Sequence, residues 1–152
     1  MKKKIIIPLI ISLILVIGIF GLIFFKNRIN STITLDINPS IEINLTKNDK
    51  IKNVLALNDD AKEILDNSYK GKSLDEAFEL LITNLIDKGF IEDNNVDVIV
   101  YSSGNISAEE IASKVEFSFG KKDVHAEIIV IGKITKEDET LAKKYNVSPA
   151  KI

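Results

Sequence analysis

The chain has 152 residues, 45% of them hydrophobic and 28% charged, enough for about one domain. It contains no cysteine and a single histidine, His125, which excludes disulfide scaffolds, Cys-ligated zinc, thiol catalysis and multi-His metal centres; no cofactor is implied. All 22 acidic residues lie in residues 29–152 against 15 basic ones, a net charge of −7, so no nucleic-acid partner is expected, since neutralising phosphates needs clustered Lys and Arg.

The first 28 residues are of another kind, with five Lys/Arg and no acid. Residues 5–25 carry no charge, and 21 residues at about 1.5 Å rise each match a bilayer core of roughly 30 Å. A cleaved signal peptide has a shorter apolar run and a small-residue cleavage site. Here Lys26-Asn27-Arg28-Ile29-Asn30 follows, with no such site, and without cysteine no lipid can be attached as in a lipoprotein. The expectation is a single-pass cell-membrane protein, with 1–4 as a short cytoplasmic tail, 5–25 as a transmembrane helix, 26–30 as a linker and 31–152 as an extracytoplasmic domain.

Within that domain, Ser31 to Ile37 alternates, with Ile33, Leu35 and Ile37 on one face, as in a half-buried strand. Ile41, Ile43 and Leu45 repeat the pattern after a break at Pro39, and the turn residues 47–50 lead to a third strand, 51–57. Asn58 or Asp59 caps a short helix carrying Ala61, Ile64 and Leu65. Ser73 to Glu76 is a capping box opening a helix with an apolar stripe of Leu74, Phe78, Leu81, Leu85 and Ile86, closed by Gly89. Val96, Val98 and Val100 mark a strand, and Ser107 to Glu110 a second capping box. The helix it opens turns Ile111, Val115 and Phe119 inward and ends at Gly120. A strand over 124–131 and a helix from Thr135 or Lys136 to Tyr145 complete the chain. The fold class is α+β, one mixed or antiparallel sheet with helices packed on it.

Asn38-Pro39-Ser40 is the stretch that carries chemistry. Proline cannot donate to a sheet ladder, so the pair of strands must bend, bulge or lie at an edge there. One reading stops at that turn. The other uses asparagine chemistry: attack by the following backbone nitrogen is blocked because Pro39 carries no N–H. What remains is attack by the Asn38 side-chain nitrogen on its own backbone carbonyl, forming a succinimide and freeing Pro39. A fold speeds this by holding the nitrogen near the carbonyl and by donating hydrogen bonds to the oxyanion. Asp36, Ser40 and Glu42 are the candidates for proton transfer or donation, and they share a face with Asn38 only if alternation survives the proline.

The run from Ile33 through Asp36-Ile37-Asn38-Pro39-Ser40-Ile41-Glu42 to Ile43, then Val54 to Ala61, and finally Ala142 to Lys151, resembles the extracytoplasmic middle domain of RsgI-type anti-sigma factors. The resemblance covers nearly all of 31–152. It implies self-cleavage of the Asn38–Pro39 bond with the halves staying associated, transmembrane signalling to an alternative sigma factor, an intramembrane protease as a partner, and an extracellular ligand that is a polysaccharide in relatives. It does not carry over sigma-factor contact, because only Met1 to Lys4 precede the apolar run where the family has a sigma-binding domain. The competing expectation is an uncleaved, membrane-tethered binding or adhesion module in which Asn38-Pro39 is a structural turn. Neither turns over an external substrate.

Other candidates read as ordinary structure. His125 sits in a strand pattern as a surface or packed side chain, and Glu92, Asp93 and Asp97 lack calcium-loop spacing and read as solvated loop charges. Ser102 to Asn105 lacks the rest of a phosphate loop and reads as a turn. Tyr101 and Tyr145 are expected in the core or at its rim. The glycosylation-type triplets at Asn44, Asn105 and Asn146 carry no argument.

Overall fold

In the computed structural model, residues 2–26, 28–145 and 147–152 are described, with the side chains of 2–7, 9, 24 and 26 outside that set. Asn27 of the expected linker and Asn146 of the third triplet therefore lie outside the described residues. Helix α1 runs Lys2–Lys26, and Pro8 falls in its second turn. Its described large side chains are exposed, Phe20 to 71%. The longest run with described side chains, 10–23, is shorter than the roughly 20 residues a bilayer asks for. Among the described residues no helix is long and apolar enough to cross a membrane.

The domain beyond it is α+β, built on one five-stranded mixed sheet. Strands β1 (Ile29–Asp36), β2 (Ser40–Thr46) and β3 (Ile51–Ala56) form an antiparallel meander. Helix α2 (Asp59–Lys62), a 3₁₀ turn (Asn67–Tyr69) and helix α3 (Leu74–Asp87) then lead to β4 (Asn95–Gly104), which returns to pair antiparallel with β1. Helix α4 (Ala108–Gly120) crosses over to β5 (His125–Ile131), parallel to β4. The order β3-β2-β1-β4-β5 makes β1 the central strand, laddered on both sides.

The apolar face of the sheet is built as the alternation requires. Ile33, Leu35, Ile41, Ile43, Leu45, Val98 and Val100 are buried together with Phe78, Leu81, Ile82 and Leu85 of α3 and Ile111, Val115 and Phe119 of α4. Ser73 and Glu76 form the reciprocal capping box, and Gly89 closes the helix at φ 75°. Five expectations need correcting. Ile86 is 39% exposed because the buried stripe of α3 runs instead through Ala77 and Ile82. At α4 only the Ser107 half of the second box forms, its hydroxyl accepting from Glu110 N–H. Ser102 to Gly104 is not a turn but the end of β4, paired with Ser31 to Ile33. Gly104 sits there at φ 101°, where a Cβ would strike the Asn30 carbonyl oxygen and come within 2.7 Å of Ser31 Cα. Asp97 lies on β4 rather than in a loop, and Tyr145 is 60% exposed rather than in the core or at its rim.

Helix α5 (Lys136–Tyr145) and a 3₁₀ turn (Pro149–Lys151) finish the described chain. Thr135 and Asp138 cap α5 reciprocally, which holds the Asp138 carboxyl below the usual range through the Thr135 N–H and hydroxyl. The 3₁₀ turn packs against β1 and β4. It lies on the sheet face opposite α3 and α4, the face that carries Thr34, Asp36, Ser40 and Asn44.

Candidate functional site at the tip of the central hairpin

Asp36 and Ser40 are register partners at the end of the β1–β2 ladder, so Ile37, Asn38 and Pro39 form a three-residue tip. Ile37 N–H closes it on the Pro39 carbonyl at 3.1 Å. Asn38 takes φ 58°, the left-handed region that asparagine tolerates better than most side chains. The Asn38–Pro39 bond is cis. Asn38 is exposed while Ile37 and Pro39 on either side are buried.

Beneath the tip is a buried polar cluster. Ser40 Oγ donates to Asp36 Oδ1 at 3.0 Å, and Lys151 Nζ reaches the same oxygen at 2.8 Å. The other carboxylate oxygen, Asp36 Oδ2, is buried and has no hydrogen-bond partner among the described residues. The backbone of Ser40 is held twice, its N–H donating to Asn58 Oδ1 at 3.1 Å and its carbonyl accepting from Leu57 N–H at 2.9 Å. Asn58 Oδ1 also accepts from Ala61 N–H, so one side chain caps α2 and fixes the start of β2.

The alternation therefore breaks within the tip and resumes beyond it. Asp36 and Ser40 are brought together. Glu42 lies one step along the same face but is engaged elsewhere, accepting from Asn44 Nδ2 at 2.8 Å, while Asn44 Oδ1 accepts from Thr32 Oγ1 at 2.7 Å. A cavity of about 490 Å³ opens beside that ladder, bounded by Glu42, Asn44, Tyr101, Ile134 and Pro149. Sequence reasoning missed Lys151, which is far from Asp36 along the chain and carries no local signal. Asn58 was legible as a helix cap and not as a support for Ser40. His125 opens β5 and is exposed.

The Asp36-Ile37-Asn38-Pro39-Ser40 motif thus runs from the end of the central strand through the hairpin tip of a single α+β domain. The chain belongs to the family described as anti-sigma factor RsgI-like central domain, which it matches over residues 30–152. It is similar to anti-sigma-I factor RsgI7 of Acetivibrio thermocellus, 30% identical over 148 residues covering 93% of this chain and 27% of that protein. Anti-sigma-I factors RsgI5 and RsgI4 of the same organism are 34% and 33% identical, each over 64% of this chain. The chain spans about a quarter of the length of these curated relatives or less.

Proposed function

We propose that this chain is a membrane-anchored signalling domain of the RsgI type that cuts itself once, at Asn38–Pro39, and keeps the two pieces together until a signal separates them. The observation that carries this reading is the position of the bond. It lies at the tip of the hairpin joining β1 to β2, and β1 is the strand that follows the apolar helix α1 and stands between β2 and β4. Cutting there leaves residues 31–36 laddered on both edges, with Ile33 and Leu35 in the core. Each ladder bond contributes about 1 kcal/mol and each buried aliphatic side chain about 2 kcal/mol, so a nick does not free the strand.

In the cleavage, Asn38 Nδ2 bonds to the Asn38 carbonyl carbon and loses a proton. The bond from that carbon to Pro39 N then breaks, and the nitrogen gains a proton. Residue 38 ends as a succinimide, and residue 39 as a new N-terminus. Asp36 and Ser40 lie closest in register to this bond, whereas Glu42 supports Asn44.

The 21 uncharged residues 5–25 support anchoring in the cell membrane, with the acidic domain outside. Stripping β1 from the sheet then exposes the membrane-side piece to an intramembrane protease, and the signal passes to an alternative sigma factor. The sensed ligand is an extracellular one.

The test is intact mass spectrometry of the full chain in detergent beside Asn38→Ala. A species beginning at Pro39, missing from the variant, is the expected result; one uncut mass in both leaves a tethered binding module. Carbonate washing of membranes from expressing cells tests the anchor: the protein stays in the pellet if residues 5–25 span, and leaves with the wash if they do not.

A further inference from the structure

We propose that Lys151 is a positioning residue for cleavage at Asn38–Pro39, an inference that rests on the self-cleavage reading above. Asp36 ends β1, two residues before the bond, and its side chain is 1% exposed. Among the described residues its two donors, Ser40 Oγ at 3.0 Å and Lys151 Nζ at 2.8 Å, converge on Oδ1, and buried Oδ2 has none. Buried polar atoms are nearly always partnered, so an orphan carboxylate oxygen calls for a reason. Two donors on one oxygen stop the carboxylate rotating and leave the other oxygen as an open acceptor.

The open oxygen fits what the reaction lacks. An amide nitrogen attacks poorly while it keeps its proton, so a nearby base speeds the step. As Asn38 Nδ2 bonds to its carbonyl carbon, its proton passes to Asp36 Oδ2. As the bond to Pro39 N breaks, that electron pair stays on the nitrogen, which takes the proton back. Asp36 ends as it began, and no water or cofactor is consumed. Asn38 is exposed, so its side chain turns inward to react, and Asp36 must already be in place.

Lys151 arrives through the last turn of the chain. Ser148 is buried and caps that turn through Ala150 N–H at 3.1 Å, and Ala142 of α5 is buried next to it in the same segment. The final segment thus completes the site only once it has docked across the sheet, which ties cleavage to the finished fold.

The experiment follows cleavage by intact mass during cell-free synthesis of the full chain in detergent. It compares wild type with Lys151→Met, Lys151→Arg, and Ile51→Val, which weakens the core without touching the polar face. Lys151→Met is expected to slow cleavage about tenfold or more, with Lys151→Arg recovering most of the rate and Ile51→Val cutting as wild type does. Wild-type rates in Lys151→Met, equal slowing in the Met and Arg variants, or equal slowing in Ile51→Val would each overturn the role given to Lys151. An uncut wild type overturns the self-cleavage reading itself and this inference with it.

Discussion

The two faces of the sheet are covered by different means. One is sealed by α3 and α4 with aliphatic and aromatic side chains. The other carries the buried Thr34, Asp36, Ser40 and Asn44 under a short C-terminal segment. Apolar packing is non-directional and tolerates substitution of similar volume. A buried polar layer stabilises only when each group finds its partner, and an unpaired one is expensive. The first face therefore makes the fold. The second spends stability on holding a carboxylate and a serine under a hairpin tip.

Substitutions on the two faces should separate these roles, best measured in an Asn38→Ala background that keeps the chain covalent. The largest effect belongs to the apolar face. Leu35→Ala, in the central strand and fully buried, should lower unfolding free energy by about 3 kcal/mol in urea titration. On the polar face, Lys151→Met strands the Asp36 carboxylate with Ser40 alone and should cost about 2 kcal/mol; in a cleavable chain it should also slow the cut, which Leu35→Ala should not do in molecules that fold.

Smaller effects come from the helix caps. Ser73→Ala removes the N-cap of α3 and should cost about 1 kcal/mol by the same titration. Its partner Glu76 is held below the usual carboxylate range by the Ser73 N–H, then by the Ser73 hydroxyl. A depressed carboxyl stabilises the fold above its unfolded-state value, about 4.3, and loses that contribution as the pH falls toward the folded value. Glu76→Gln should accordingly flatten the stability curve just below that pH and leave its slope near neutrality unchanged; an unaltered acid limb would contradict the bond.

How much of this was legible follows the same division. Alternation in 31–37 and 41–45 announced two strands of one core, and Ser73, Glu76 and Gly89 announced both ends of α3, because those signals are local. Whether Asp36, Ser40 and Glu42 share a face depends on alternation surviving Pro39, which the local pattern leaves open; the β1–β2 register puts them on one polar face. That it is covered depends on the 3₁₀ turn at 149–151 folding back onto β1 and β4. Such a contact spans most of the chain and leaves no periodic trace. For the same reason Lys151 had no signal as a site residue, whereas Asn38-Pro39 was visible because proline chemistry is local. Tyr145 shows the reverse error: an aromatic at the end of an amphipathic helix reads as core, yet α5 buries only Ala142 among its own residues.

The most direct measurement is the mass of the full chain purified in detergent, with Asn38→Ala as its reference. Two species that divide at residue 38 and elute together, replaced by a single mass in the variant, are the expected result. One intact mass in both samples, after prolonged incubation, would contradict self-cleavage at the hairpin tip.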